Sequence, residues 1–258
     1  MLTSFSSVLA DSQTWLFAFI GVVAQMFDGI LGMGFGVVSS TCLTLLGLPR
    51  MVVSAAVNGA KIFTGVASGL SHAWYRNVTW RLFGILGAGG LAGGVLGSLL
   101  LSHGAGRYVG PVISFYLVLV GLYIIWRAIM EKAHAITNVR TAGVALAGGA
   151  LEAISGVWGP LVTSSLVAMG VEPRYAVGTG NLAETIVAVT VFSMLVGHVG
   201  LAAASHAVVG LVIGAIVASP IAARLTHRVP RKQLMIGVGL LVIASSVVRL
   251  TRDAGWLG

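Results

Sequence analysis

Residues 28–61 read DGILGMGFGVVSSTCLTLLGLPRMVVSAAVNGAK, and residues 152–184 read EAISGVWGPLVTSSLVAMGVEPRYAVGTGNLAE. Both stretches begin with an acidic residue, continue through glycines into a run of small and hydroxyl residues, reach a Pro-Arg pair, and end with an asparagine three residues before a charged side chain. The copies are offset by 124 residues at their acidic ends and by 123 at their charged ends. The sequence therefore predicts two related halves, approximately residues 14–130 and 141–250.

The composition around these stretches is typical of a membrane protein. The chain has 258 residues, of which 57% are hydrophobic and only 9% are charged, and its mean hydropathy is +0.99. An ordinary soluble domain has roughly 25% charged residues, so this chain has too few polar side chains to cover a water-exposed surface of its size. We expect the lipid bilayer to surround most of it, which argues against a soluble enzyme.

Apolar segments follow one another along the whole chain. Ten are recognised, at about 14–31, 34–47, 51–71, 80–101, 108–130, 141–156, 158–170, 175–197, 203–223 and 233–249. A full membrane span needs about 20 residues, so the segments at 34–47 and 158–170 are short, as in half-helices of re-entrant hairpins. The expected fold class is all-α: a single polytopic transmembrane domain over residues 1–258, with about 8–10 helical segments and broken or re-entrant helices.

Basic residues lie mostly in the short gaps between these segments. Lys and Arg number 15 against 7 Asp and Glu, a net charge of +8. This placement indicates membrane topology and not nucleic-acid binding, which needs a basic patch on a solvated domain. When the segments alternate across the bilayer, one side holds most of the basic residues: Arg76, Arg81, Arg127, Lys132, Arg140, Arg174, Arg224, Arg228, Arg231 and Lys232. That side is cytoplasmic by the positive-inside rule, so both termini of this multi-pass inner-membrane protein are expected outside.

An odd number of segments, five in each half, makes the two halves enter the membrane from opposite faces. Arg50 of the first copy is then external, and Arg174 of the second copy is cytoplasmic. Inverted repeats of this kind are the architecture of secondary transporters, whose binding sites lie near the middle of the bilayer where the repeats meet. The alternative is chance similarity between two halves rich in glycine and alanine.

Four ionisable residues fall inside the apolar segments: Asp28, Lys61, Glu152 and Glu184. Each is costly there, about 2.5–3.5 kcal/mol for Asp, Lys or Arg at a helix centre, so such residues face a cavity or pair with one another. The repeat groups Asp28 with Glu152 and Lys61 with Glu184. Two equivalent positions therefore hold opposite charges.

Two polar helix faces are the first candidate binding surface. Asn58 and Lys61 are three residues apart and share a face, as do Asn181 and Glu184. If the two faces meet between the halves, Lys61 supplies a positive charge for an anion, the asparagines supply amide donors, and Glu184 carries a proton. The alternative is a buried Lys61–Glu184 salt bridge with the asparagines as contacts between helices.

The glycine-rich breaks that follow Asp28 and Glu152 are the second candidate. A helix that begins at such a break points unpaired N–H groups into the protein and can bind an anion. The substrate site would then include the backbone N–H group of Gly34 and the hydroxyl groups of Ser39, Ser40 and Ser164. The alternative is close helix packing through small residues. Asp28 and Glu152 serve either as helix caps or as proton acceptors, and with Glu184 they are the candidates for proton coupling.

Metal and cofactor sites have no motif in this sequence. The single cysteine, Cys42, lies in an apolar segment, and no cluster of His, Cys and Asp has metal-ligand spacing. Phosphate-loop and hydrolase motifs do not occur, so we expect no cofactor and no enzymatic activity. A glycine stripe at Gly89, Gly93 and Gly97 predicts close helix packing, either within one chain or in a homodimer.

The order of these motifs resembles that of the sulfite exporter TauE/SafE family of bacterial membrane proteins. The resemblance rests on GILGMG at 29–34, GLPR at 47–50 and the Asn58-x-x-Lys61 spacing, together with their degenerate second copies. It covers nearly the whole chain. It implies two related halves and the export of sulfite, sulfoacetate or other small sulfur-containing or organic anions.

We therefore expect a secondary transporter that exports a small anion, such as sulfite or an organosulfonate, by alternating access. Energy would come from the proton gradient or the membrane potential. Two rival functions stay open. A cation or metal-ion carrier would use Asp28, Glu152 and Glu184, and a non-transporting assembly subunit would use the buried charges only to hold helices together.

Overall fold

The structure is a computed structural model that describes residues 5–31, 33–103, parts of 111–129, 138–226 and 231–253. Its regular elements in these ranges are all helical, so the all-α fold class is confirmed. The helices are α1 (Phe5–Ala10), α2 (Ser12–Leu31), α3 (Phe35–Leu45), α4 (Arg50–Trp74), α5 (Trp80–Ser102), α6 (Asn138–Ser155), α7 (Gly159–Ala168), α8 (Pro173–Val199), α9 (Leu201–Thr226) and α10 (Arg231–Asp253). The described residues of 111–129 are helical as well.

The helices fall on the predicted apolar segments. Four stretches in the described ranges are long and apolar enough to cross a membrane: Arg50–Trp74, Trp80–Ser102, Arg174–Val199 and Leu201–Ser219. The segment at 108–130 lies partly outside the described residues. The sequence did not predict α1, which docks on the start of α2, where Thr14 Oγ1 donates to the Val8 carbonyl oxygen at 2.6 Å. The chain is a polytopic membrane protein.

The two short segments form short helices. The helix α3 has 11 residues and α7 has 10. At 1.5 Å per residue each is about 15 Å long, which is half the thickness of the hydrocarbon core. Neither helix spans a bilayer by itself.

Glycines bring α5 and α6 into backbone contact. A Cβ atom on Gly89 would lie 3.0 Å from the carbonyl oxygen of Ala142, and one on Gly97 would lie 2.6 Å from that of Ala150. The glycine stripe of α5 therefore packs within the chain, which decides between the two packing alternatives. Because the contacts advance in the same direction along both helices, α5 and α6 run parallel.

The course of α7 follows from the directions of its neighbours. The helix α8 also runs parallel to α5, since Gly87 packs on Ile186 and Gly94 on Val191, so α6 and α8 run the same way. The end of α6 lies at the level of the middle of α8, where Glu152 and Glu184 share a partner. To connect them, α7 runs back toward the start of α8, as a re-entrant half-helix does.

The helices α4 and α8, which the predicted repeat aligns with each other, cross antiparallel. Gly59 lies against Phe192 and Gly69 lies against Leu182, so the contacts advance along α4 as they retreat along α8. Lys61 is near the midpoint of α4, and Glu184 is near the midpoint of α8. The crossing therefore brings the two charged residues together deep in the helix bundle.

The largest helix contacts connect the two halves. The helix α2 packs most extensively against α9, and α6 packs most extensively against α5. The first helix of each predicted half thus lies on the fourth apolar segment of the other predicted half. The halves are interleaved and share one core.

Candidate functional site

Three charged side chains meet where α4, α6 and α8 come together. The Nζ atom of Lys61 lies 2.7 Å from Glu152 Oε1 and 2.7 Å from Glu184 Oε1. It also donates to the Gly156 carbonyl oxygen at 3.4 Å. We call Lys61, Glu152 and Glu184 the charge cluster. Its formal charge is negative, because two carboxylates face one ammonium.

The charge cluster is deeply buried. The side chain of Lys61 is 7% exposed, that of Glu152 is 0% exposed, and that of Glu184 is 19% exposed. Charges at such depth lose their hydration and persist because they pair with one another. A lysine ammonium has three donor protons, and here all three have acceptors. In this arrangement Lys61 has no donor left for another ligand.

The two glycine-rich breaks meet beside Lys61. A Cβ atom on Gly36 would collide with the Gly156 carbonyl oxygen and would lie 2.5 Å from Lys61 Nζ, so only glycine allows this approach. Gly156 itself has φ +72, in the left-handed region that favours glycine. Both breaks therefore lie at the level of the midpoints of α4 and α8.

Hydroxyl groups connect each short helix to the break of the other half. Ser40 Oγ on α3 donates to the Ser155 carbonyl oxygen at 2.8 Å. Ser164 Oγ on α7 contacts Met33 Sδ at 3.5 Å. Ser40 and Ser164 align in the predicted repeat, and each contacts residues next to the other glycine-rich break.

Asp28 caps the helix α3. Its Oδ1 accepts hydrogen bonds from the backbone N–H groups of Gly34 at 2.8 Å and Phe35 at 3.2 Å, as a capping side chain does. Glu152, the counterpart of Asp28 in the repeat, binds Lys61 instead, and the N-terminus of α7 at Trp158 has no side-chain cap. Asp28 and Glu152, which align in the predicted repeat, therefore have different roles: Asp28 caps a helix and Glu152 pairs with Lys61.

The two asparagines lie on the predicted helices but make other contacts. Asn58 is fully buried, and its Nδ2 donates to the Ser54 carbonyl oxygen at 3.0 Å. Its Oδ1 has no partner within the described ranges. Asn181 Nδ2 donates to Ser68 Oγ at 3.1 Å, which is the contact between helices named as the alternative. Neither hydrogen bond involves the charge cluster.

Two equivalent hydroxyls are buried without a partner in the part of the chain that the structure describes. They are Ser39 Oγ on α3 and Thr163 Oγ1 on α7, and both residues are at most 1% exposed. A buried hydroxyl without a hydrogen bond is costly. The short helices therefore each carry one unused polar group.

The sequence indicated the Lys61–Glu184 pair and missed the pairing of Lys61 with Glu152. The predicted repeat aligned Glu152 with Asp28, and this alignment concealed the pairing with Lys61, because Asp28 itself caps a helix and does not pair with a lysine among the described residues. The available signal was that Glu152 precedes Gly156 by one helical turn. A break at the level of the midpoint of α4 brings that turn within reach of Lys61.

Metal binding has no matching set of ligands in the described ranges. No group of three His, Cys, Asp or Glu side chains lies close enough there to hold a metal ion. The two carboxylates that do approach each other both bind the Lys61 ammonium. The site is therefore an ion-pair site around one amino group.

Known proteins resemble the chain over most of its length. The family model described as Sulfite exporter TauE/SafE matches residues 17–249. The Bacillus subtilis (strain 168) protein named "Probable membrane transporter protein YtnM" is 35% identical over 239 residues, which cover 88% of this chain and 79% of that protein. No solved structure matches the chain significantly.

Proposed function

The chain belongs to the sulfite exporter TauE/SafE family of membrane transporters, and from that premise we propose that it exports a small anion, such as sulfite or an organosulfonate, across the inner membrane. It works as a secondary transporter. The proposed substrate site lies around Lys61, between the two helix breaks. Its proposed ligands are Asn58, Lys61, Asn181, Glu184, Gly34, Ser39, Ser40 and Ser164.

The observation that carries this proposal is the buried Lys61 ammonium beside both breaks. A cation is retained at such depth in a membrane protein only at considerable cost. An anion is the ligand whose charge complements the ammonium once one of its two carboxylates has left it or has been neutralised. The Ser39 hydroxyl, which has no partner among the described residues, supports the proposal because it can donate a hydrogen bond to an anion oxygen.

Alternating access is proposed from the relation of the two halves. The antiparallel crossing of α4 and α8 is what inverted repeats at about 14–130 and 141–250 require. Ser40 contacts Ser155 beside the second break, and Ser164 contacts Met33 in the first break. This reciprocal pattern supports the same symmetry. The halves would rock about the charge cluster and expose it to one side at a time.

Transport by the purified protein in liposomes tests the proposal. Wild-type protein should move labelled sulfite or methanesulfonate down an imposed gradient, and Lys61→Gln should lower the initial rate by about two orders of magnitude, because a buried charge partner is lost. Lys232→Gln is the matched control, since it removes the same charge from an exposed position on α10. Equal rates for Lys61→Gln and Lys232→Gln would overturn the role of Lys61.

The same preparation separates the rival functions. Thermal stabilisation of the detergent-solubilised protein by sulfite, methanesulfonate, sulfate and divalent cations reports which of them bind the folded state. Stabilisation by divalent cations alone would favour the cation carrier. A protein that transports no anion under a pH gradient or a membrane potential would favour the assembly subunit.

A further inference from the structure

Lys61 is already occupied in the structure, and this restricts how an anion can bind. Glu152 and Glu184 each hold the ammonium at 2.7 Å. An anion that approached this cluster would meet two negative charges and one positive charge in a poorly screened environment, where repulsion is strong. One carboxylate must therefore leave Lys61 or lose its charge before an anion can take its place.

The two carboxylates differ in their freedom to do so. Glu152 is fully enclosed and lies one turn before Gly156, where the second break packs against α3. Glu184 is 19% exposed and extends from the middle of the long helix α8. Glu184 is therefore the less enclosed of the two carboxylates and has more room to leave Lys61 than Glu152 has.

On the basis of the proposed function, we propose that Glu184 is the internal competitor of the substrate: the anion replaces the Glu184 carboxylate at Lys61, and Glu184 takes up one proton as it does so. Glu152 remains the permanent counter-ion of Lys61. For a monovalent anion the charge of the site is the same before and after loading. The proton and the anion are therefore bound together, so that export of the pair is electroneutral and is driven by the outward concentration gradient of the anion and not by the inward proton gradient or the membrane potential.

Other charged groups near Glu184 do not supply an alternative cation. Among the described residues, Lys61 on α4 binds it directly, Glu152 on α6 shares that lysine, and Asp28 on α2 also interacts with it electrostatically. The helix α5 also packs on α8, but its ionisable residue Arg81 is exposed at the helix start, and α7 has no ionisable residue. In α9, His206 lies beside Asp11 near the helix start.

Binding of methanesulfonate as a function of pH tests the proposal. Methanesulfonate is the probe because it stays fully ionised around neutral pH, so that only the protein titrates. If one proton accompanies each anion, the dissociation constant rises about tenfold per pH unit once Glu184 is ionised in the empty protein. Glu184→Gln should bind the probe with little dependence on pH, and the control Glu152→Gln should keep the dependence of the wild type.

Direct counting of protons requires no variant. Wild-type protein in weakly buffered solution with a pH-sensitive dye should take up about one proton for each methanesulfonate bound at mildly alkaline pH. Binding with no proton uptake, or a pH dependence that persists in Glu184→Gln, would overturn the role of Glu184 and leave the anion site intact. A wild-type protein that binds no anion at all would overturn the proposed function together with this inference.

Discussion

Lys61 stabilises two buried carboxylates at once, so its loss should affect folding as well as transport. Lys61→Gln leaves Glu152 and Glu184 without their cation, and breaking a buried ion pair in this way costs about 3–5 kcal/mol. The double variant Lys61→Gln/Glu152→Gln should recover much of this loss, because the more buried carboxylate is then neutral. Thermal unfolding of the detergent-solubilised variants measures both effects. A double variant that melts below Lys61→Gln would contradict the expectation.

Asp28 is a helix cap in the structure, and its substitutions should reveal that role. Asp28→Ala removes the acceptor of the Gly34 and Phe35 N–H groups, and the loss of such a cap costs about 1 kcal/mol. Asp28→Asn keeps an acceptor oxygen and should stay near wild type in both melting temperature and transport rate. Loss of transport in a well-folded Asp28→Asn protein would instead indicate that the charge of Asp28 is needed for coupling.

At the same scale, the sequence predicted which residues would be unusual, but of their contacts within the charge cluster it indicated only that of Lys61 with Glu184. The cost of charge in lipid identifies Lys61, Glu152 and Glu184 without any structure. Contact between Lys61 and Glu152, however, depends on where α6 stops relative to α4. The contact of Asn181 with Ser68 depends likewise on the crossing of α4 and α8. Such distances arise from packing between helices far apart in sequence, which no local pattern encodes.

At the scale of elements, the close approach of the two breaks is the contact most sensitive to a single methyl group. Gly36→Ala would force a Cβ atom against the Gly156 carbonyl oxygen and Lys61, and overpacking of this kind costs about 1–3 kcal/mol. We expect a lower melting temperature and slower transport. The measurements are thermal unfolding and liposome uptake.

The control for this substitution is Gly84→Ala in α5, where a Cβ atom meets nothing within 4 Å. Alanine in place of a helical glycine stabilises by roughly 0.5–1 kcal/mol, so Gly84→Ala should melt at or above the wild-type temperature. If Gly36→Ala behaved in the same way, the two breaks would not be in contact as described.

The helices themselves were largely predictable, because apolar length and glycine or proline punctuation are local properties. The half-helix lengths of α3 and α7 followed from the segments at 34–47 and 158–170. The helix α1 was missed, since six residues without a long apolar run have no strong pattern. Its place is fixed by the Thr14–Val8 hydrogen bond with α2, which is again a packing property.

At the scale of the whole molecule, the distribution of basic residues predicts the orientation in the membrane. The turn between α4 and α5 should be cytoplasmic and the turn between α8 and α9 external. In a Cys42→Ala background, Tyr75→Cys places a single thiol at an exposed position in the first turn, and Leu201→Cys places one at the exposed first residue of α9, beside the second turn. A membrane-impermeant maleimide should label Leu201→Cys in intact spheroplasts, and Tyr75→Cys only after permeabilisation. The reverse pattern would place both termini in the cytoplasm.

The pairing of α2 with α9 also dictates when this protein can finish folding. The helix α2 is synthesised early, yet the backbone against which its Gly21 packs is that of Leu211, near the other end of the chain. Domains that are built from local contacts can fold as they leave the ribosome, whereas contacts between distant segments must wait. Until α9 is inserted, α2 lies in the bilayer without its partner. A chain whose synthesis stops before α9 therefore leaves α2 without its main packing partner and the core incomplete.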